Sequence, residues 1–361
     1  MKNILKISAA FALFAALSFT MQKDSVDLAA RSARLHKTII SMDTHTDTIM
    51  EMFRGKDPAT LQVSLEKMRK GGMDAVFFAA YVGQNRRDDS TLLAKTKYAE
   101  DMLNCFKDYV AAHSDEIGLA ITASDVRNLK KQGKLIGILA IENGYAIGKD
   151  ISNVEKFYNM GVRYITLSHN NNNDICDAAV TQDNPKRGFR KGPEWHGLSP
   201  FGARVVAEMN RLGIIIDVSH TSAETVEDVL SISTAPVIAS HSCCAAIKDH
   251  PRNLTDRQIK EIASRGGLVQ VTAYDGFLGE GSISRYCDHV ERVRDLVGVD
   301  HVGFGSDFDG GGGGWDGLKD VSDIQNITVE LLRRGWTDGE LKAFWGGNVL
   351  RVMEDVQRAA D

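Results

Sequence analysis

Eight short apolar runs, rich in β-branched residues, recur along the chain with helical patterns between them. They are TIISMD (38–43), DAVFFAAY (74–81), LIGILAIE (135–142), RYITLSH (163–169), GIIIDVSH (213–220), APVIASH (235–241), GLVQVTAY (267–274) and HVGFGSD (301–307). Nearly continuous apolar strands alternating with helices imply a parallel sheet covered on its faces. Eight such units predict a closed (β/α)8 TIM barrel, with a doubly wound open sheet as the alternative. No G-x-G-x-x-G follows the first strand, so a nucleotide-binding open sheet gains no support.

The strand ends carry the chemistry. Strand one leads into His45 and Asp47, strand three ends in Glu142 and strand four in His169. His220, His241, Tyr274 and Asp307 end the four that follow. In a barrel these ends share one face, where the βα loops build active sites. Three or more carboxylates with several imidazoles exceed what one four-coordinate zinc can use, and they suffice for two ions sharing a bridging carboxylate. Zinc suits the mixed ligation, as do manganese, iron and cobalt. Such a pair acidifies a shared water and polarises a carbonyl, which makes amide hydrolysis the expected reaction class. Glu142 ends a run that reads as fully buried, where a carboxylate needs a cation or a hydrogen-bond network. Asp217 reads as a support for the ligands. Arg252, in DHPRNLTD above the same face, is either a solvated arginine or a fork for a substrate carboxylate. His36, His113, His196, His250, His289 and His301 read as surface or structural residues, and GGGGW (311–315) as flexible chain.

Ser199 and Pro200 predict the start of a helix that Gly213 closes. The Asn-, Gly- and Lys-rich stretch 170–198 before it lacks periodicity and is expected to lie over the top of the barrel. Lys2 and Lys6 precede an apolar run from Ala9 to Leu17, so residues 1–21 are expected to be an export signal and 22–361 one barrel domain, periplasmic or secreted. The C-terminal EDVQRAAD has no apolar tail, so no membrane anchor is expected in the mature chain. A formal net charge of −5 without a basic stripe gives no reason to expect nucleic acid. The five cysteines show no C-x-x-C spacing and read as buried thiols.

The motifs DTHTD, HGLSPFGARVVAEMNRLGIIIDVSH, PVIASHS, HPRN, VGFGSDFDG and FWGGNVLRV, in this order, resemble the membrane dipeptidase (renal dipeptidase) family of zinc peptidases. LEKMRKGGMDAVFFAAYV fits too, so the resemblance runs from about residue 35 to the end. It implies a barrel holding two Zn2+ ions, one bound by His45 and Asp47, the other by His220 and His241, with Glu142 bridging. It further implies that His169 stabilises the oxyanion, that Arg252, with Tyr274, holds the free C-terminal carboxylate, and that Asp307 relays a proton from the bridging hydroxide's water to the leaving amine. The implied substrates are dipeptides with an L- or D-residue at the C-terminus, and a homodimer is the implied assembly. Asn143 stands after Glu142 where the family commonly has glycine. Two alternatives remain at this stage. One is a related barrel metallohydrolase acting on another amide, a lactone or a β-lactam, although such relatives usually open with H-x-H and bridge with a carboxylated lysine. The other is a metal-loaded binding protein without turnover.

Overall fold

The computed structural model describes residues 27–360; the expected export signal lies outside them. Nine strands form one parallel sheet: β1 (Met42–Thr46), β2 (Ala75–Tyr81), β3 (Ile117–Leu119), β4 (Leu135–Glu142), β5 (Val162–Thr166), β6 (Ile215–Asp217), β7 (Val237–Ser242), β8 (Leu268–Val271) and β9 (Val302–Phe304). The order is β1-β2-β4-β5-β6-β7-β8-β9, with the three-residue β3 added to β4 outside that path. Asp47 N donates to Phe308 O and Asp307 N to His45 O, each at 3.0 Å, so the chain just beyond β9 meets β1 and all but closes the ring. The eight expected strands are thus a TIM-type barrel. β3 escaped notice because three residues carry no period.

Period-two alternation explains what fills the barrel. On β4, Ile136, Ile138 and Ala140 face inward and pack with Phe77, Tyr164, Ile215, Ile238 and Leu268. Leu135, Leu139 and Ile141 face the helices instead. The inward row of β4 ends at Glu142, which therefore stands on top of the apolar plug. The bottom is sealed by the terminal helix Asn348–Ala359, whose Val349, Leu350, Val352, Met353 and Val356 join the same cluster. Access is left to the strands' C-terminal ends.

Two local expectations differ from the structure. The run 38–43 is not a strand throughout: residues 27–38 are helical and β1 begins at Met42. Thr38 caps its own helical turn, its hydroxyl donating to Leu35 O, which the apolar pair Ile39-Ile40 concealed. The glycine run 311–315 is an ordered turn, because Gly310 and Gly312 donate backbone N–H groups to Asp307 O and Trp315 Nε1 donates to Ala273 O. A Cβ at Gly310 would collide with the Asp47 carboxylate, and one at Gly312 with Ser306 O. Glycine serves close approach here.

The helix Pro200–Leu212 has the expected ends, Ser199 accepting from Gly202 N and Gly213 at φ 76°. Stretch 170–198 does lie over the barrel, pinned by its own amides. Asn173 donates to Leu167 O and accepts from Ile175 N and Cys176 N, while the Asp177 carboxylate accepts from the N–H groups of Glu194, Trp195 and Gly197. All five cysteines are unpaired and four of them are buried. No helix among the described residues is long and apolar enough to cross a membrane.

Candidate metal centre

Three different backbone devices aim the site residues at one point. Glu142 arrives by plain alternation, whereas His45 and His241 arrive through β-bulges. Asp43 pairs with Val76 and Thr46 with Phe78, so β1 carries one residue more than β2 over that span. β7 repeats this beside β8, with Ala239 opposite Val269 and Ser242 opposite Val271. A bulge breaks alternation and re-aims a side chain, so Thr44 reaches Ser240 O across the barrel while the His45 ring stacks on His241 at 3.8 Å. His220 and Asp307 arrive through left-handed backbone, at φ 69° and 64°. Such a conformation is uncommon outside glycine and marks a position held by its surroundings.

Asp47 is the N-cap residue of the helix Thr48–Phe53, yet its side chain caps nothing. Its Oδ1 is buried without a hydrogen-bond partner, and so is His45 Nε2. Around them, His45 Nε2 lies 3.8 Å from Asp47 Oδ2, 3.7 Å from Glu142 Oε2 and 3.8 Å from Asp307 Oδ1. The other Glu142 oxygen, Oε1, lies 3.2 Å from His220 Nε2, 3.5 Å from His241 Nε2 and 3.8 Å from His169 Nε2. The Nε2 atoms of His220 and His241 are 2.9 Å apart. One carboxylate thus faces a ligand group with each of its oxygens.

Partners at Nδ1 set the tautomers. His45 Nδ1 lies 2.7 Å from the Tyr164 hydroxyl, and His241 Nδ1 lies 2.8 Å from Ser240 Oγ. Ser240 Oγ donates in turn to Asp217 Oδ2 at 2.6 Å, leaving its lone pair for the imidazole N–H. His220 Nδ1 faces Asn170 Oδ1 at 3.4 Å. With Nδ1–H donated to these oxygens, each Nε2 would be free to turn a lone pair to a metal ion, as ligation requires. Asp217 also accepts from Thr166 Oγ1, Ser219 N and Ser240 N, and Asp43 clamps Ser306 and His45 N in the same manner.

The electrostatics are those of a site short of positive charge. Burial, with Asp47 and Asp307 nearby, pushes the Glu142 carboxyl well above the usual range. Burial likewise raises Asp307 to about 7. Burial alone would disfavour charge on His45, but Glu142, Asp47 and Asp307 outweigh it and raise the imidazole to about 10. His169 is lowered by burial to about 3, and burial holds His220 and His241 well below the ordinary value. Orphaned buried ligand atoms, crowded carboxylates and neutral imidazoles together fit divalent cations. His45, Asp47, Glu142, His220 and His241 are the residues that would hold them.

The centre floors a cavity of about 660 Å³. Arg252 lines it, buried, with Nη2 donating to His241 O at 3.1 Å, Nε without a partner and its guanidinium 5.1 Å from the centre of the Phe277 ring. A solvated surface arginine it is not. Tyr274 and Asp307 share the wall, and Tyr81 stands with its hydroxyl 3.5 Å from His169 Nδ1. His250 belongs here too, against the reading of it as surface or structural: its Nδ1 accepts from Arg252 N at 3.1 Å and its ring packs on Phe277. Its sequence signal was its place two residues before Arg252. Asn143, at φ 80°, adopts backbone that favours glycine and repays it by donating to Val82 O and Gln84 Oε1.

A family described as membrane dipeptidase (Peptidase family M19) matches residues 29–361. The chain belongs to this family. It is 36% identical over 304 residues to dipeptidase verJ of Clonostachys rogersoniana, covering 82% of this chain and 76% of that one. It is 33% identical to dipeptidase aclJ of Aspergillus oryzae over 324 residues, covering 85% and 73% of the two chains. Among solved structures, the probable dipeptidase PvdM of Pseudomonas aeruginosa superposes with a TM-score of 0.85 at 27% identity, over 92% of this chain and 99% of that one. A metallopeptidase of Rhodobacter sphaeroides, solved with a phosphinate mimic of the dipeptide L-Ala-D-Ala, gives 0.78 at 26% identity over 88% and 99%. As a member of family M19 the chain is a metal-dependent dipeptidase.

Proposed function

We propose that this M19 dipeptidase binds two zinc ions bridged by Glu142 and cleaves dipeptides that carry a free C-terminal carboxylate. The observation that carries the reading is Glu142, whose Oε2 faces His45 and whose Oε1 faces His220 and His241, in a cavity that also holds Arg252 and Asp307. What paired zinc ions supply when bound is an acidified water, shared between them, and a field that polarises the scissile carbonyl. The chain's residues do the rest. Arg252 presents an unpaired Nε–H donor in a buried setting, where a substrate carboxylate gains a charge-assisted hydrogen bond. Tyr274 and Phe277 wall that end of the cavity. His169, kept neutral by burial, donates a ring N–H to the carbonyl oxygen as it gains charge. Asp307, raised to about 7, takes the proton from the attacking water on a carboxylate oxygen and gives it to the departing amine nitrogen.

A C-terminal D-residue is part of the reading, supported by the L-Ala-D-Ala mimic held by the R. sphaeroides relative. Export through residues 1–21 and assembly as a homodimer belong to it as well; the mass of the mature chain and its elution in solution check them. The central test is elemental analysis paired with assays of L,L- and L,D-dipeptides, free and C-terminally amidated, with and without a chelator. We expect two zinc ions per chain, loss of activity on chelation and poor cleavage of amidated substrates. Equal cleavage of free and amidated dipeptides would remove the anchoring role of Arg252. Turnover of lactones or β-lactams with none of dipeptides would favour the alternative hydrolase.

A further inference from the structure

A second cavity, of about 550 Å³, lies beside the catalytic one and plays no part in the mechanism above. Four arginines line it, Arg86, Arg87, Arg187 and Arg190, against a single carboxylate, Glu194. That carboxylate is already taken by Arg87, which grips both its oxygens at 2.7 and 2.8 Å. Arg86 spends one donor, Nε, on Lys186 O. Among the described residues, Arg187 and Arg190 have neither a hydrogen-bond nor an ion-pair partner for their side chains. Arg86, Arg187 and Arg190 therefore line one concavity whose single carboxylate is already paired with Arg87, and a concavity lined by unpaired cations draws an anion.

The walls are firm. Gln84 and Asn172 are buried, with Gln84 Nε2 donating to Asn172 O at 3.0 Å and Gln84 Oε1 accepting from Asn143. Asn172 Nδ2 donates to Gly192 O, and Asn171 Oδ1 accepts from Gln182 N. The two cavities also share their partition. Tyr81 and Asn170 line the catalytic cavity, and a few residues on, Gln84 and Asn171 line the second. In the barrel order β2 lies across from β7, so the Tyr81–Gln84 side of this partition faces Arg252 from the far side of the metal centre. A dipeptide anchored by its C-terminal carboxylate at Arg252 points its N-terminal residue toward the arginines. The charges of Arg54 and Arg187 also reach the Tyr81 phenol, where they oppose the upward push of burial.

We infer that the arginine-lined cavity is an anion subsite, and that it takes the carboxylate of an acidic side chain on the N-terminal residue of the substrate. This rests on the dipeptidase reading. Its chemistry, a carboxylate or phosphate oxyanion on guanidinium forks, is equally open to a free small anion, and the experiment separates the two sources. The parent and the double variant Arg187→Ala/Arg190→Ala are assayed with Glu-Ala and Gln-Ala, substrates of one shape and different charge. Both replaced side chains are exposed, so the change removes charge and not packing.

We expect the parent to favour Glu-Ala over Gln-Ala by about tenfold in kcat/KM at low salt. The ratio should fall toward one in the double variant and as salt rises. Cleavage of Gln-Ala by the variant serves as the sign of an intact centre. In parallel, thermal melting is followed with inorganic phosphate and with succinate. A ratio of one in the parent, with Arg-dependent stabilisation by these anions, assigns the subsite to a free anion. A ratio of one with no such stabilisation overturns the inference while leaving the dipeptidase reading intact. Failure to cleave any dipeptide would instead sink that reading, and the anion titration would decide the subsite alone.

Discussion

The two halves of the metal centre are built alike and charged differently. On one side the bulge at His45 is clamped by Asp43, whose carboxylate holds His45 N and both Ser306 N and Oγ. On the other the bulge at His241 is clamped by Asp217, which holds Ser219 N and both Ser240 N and Oγ. In each case the serine precedes a site residue, Asp307 or His241. The same scaffold carries opposite loads, since the first half groups His45 with Asp47 and Asp307 while the second presents the neutral imidazoles of His220 and His241. The lesson is that the fold supplies position, while the charge that a cation must neutralise is concentrated in the first half and at Glu142.

Glu142→Gln is the change that should erase the difference between the halves, because its two oxygens face one half each. The amide keeps the shape and loses the charge that a bridging ligand needs. We expect both ions to bind at least about 10–100-fold more weakly, the loss typical of even an outer support, and dipeptide turnover to disappear. Full metal content in this variant would show that the halves are independent sites. Asp307→Asn should sharpen the contrast from the other direction. It removes a proton carrier of the acidic half, so turnover should drop by about 10²–10⁴-fold with zinc content little changed. Elemental analysis beside kcat separates the two variants, and a parallel loss of zinc would make Asp307 a ligand first.

Much of this site was legible from strand ends, and the reason is physical. A carboxylate at the end of LIGILAIE has no water to turn to, so Glu142 announced itself. His45 and His241 were found because both lie at strand ends, but simple alternation would have turned them away from the barrel, as the rows through Thr44 and Ser240 show. A bulge depends on how a strand pairs, and pairing is not written in the strand alone. The left-handed backbone of His220 and Asp307 was hidden for the same reason. The run 311–315 read as slack because composition shows what a residue permits, whereas the need at Gly312 arises from Ser306, and at the adjoining Gly310 from Asp47, remote in sequence. The arginine cavity draws on residues 86–87 and 187–190, which only folding brings together.

The clamps offer a smaller and more selective test. Asp217→Asn should weaken the hold on His241 through Ser240 and cost zinc roughly 10–100-fold in affinity on the imidazole side. Asp43→Asn should loosen His45 and Asp307 and act on the acidic side. Cobalt substitution followed by its visible spectrum distinguishes the ions, and chelator competition ranks them. If both variants lose the same ion, the twin clamps are one network.

The mildest expected effect is on the pH dependence of stability in the metal-free protein, and there the halves should pull in opposite directions. On the acidic side His45 is raised from 6.5 to about 10 and Asp307 from 3.8 to about 7. A group whose pKa rises on folding binds more protons folded than unfolded, so its contribution is lost as pH rises, from 3.8 through about 7 for Asp307 and from 6.5 through about 10 for His45. His220 and His241 are lowered on folding, so the unfolded chain takes up protons first and stability is lost as pH falls below 6.5. The metal-free melting temperature should therefore fall steadily on the alkaline side of neutrality, where His45 is unopposed, by roughly 2–4 °C for each kcal/mol involved. It should change little on the acid side, where Asp307 offsets the imidazoles. Zinc should flatten the alkaline limb most, because the carboxylates of the acidic half then meet a cation that does not titrate. A metal-free profile that keeps rising to pH 10 would mean that the acidic half is not short of positive charge, and the asymmetry between the halves would be lost.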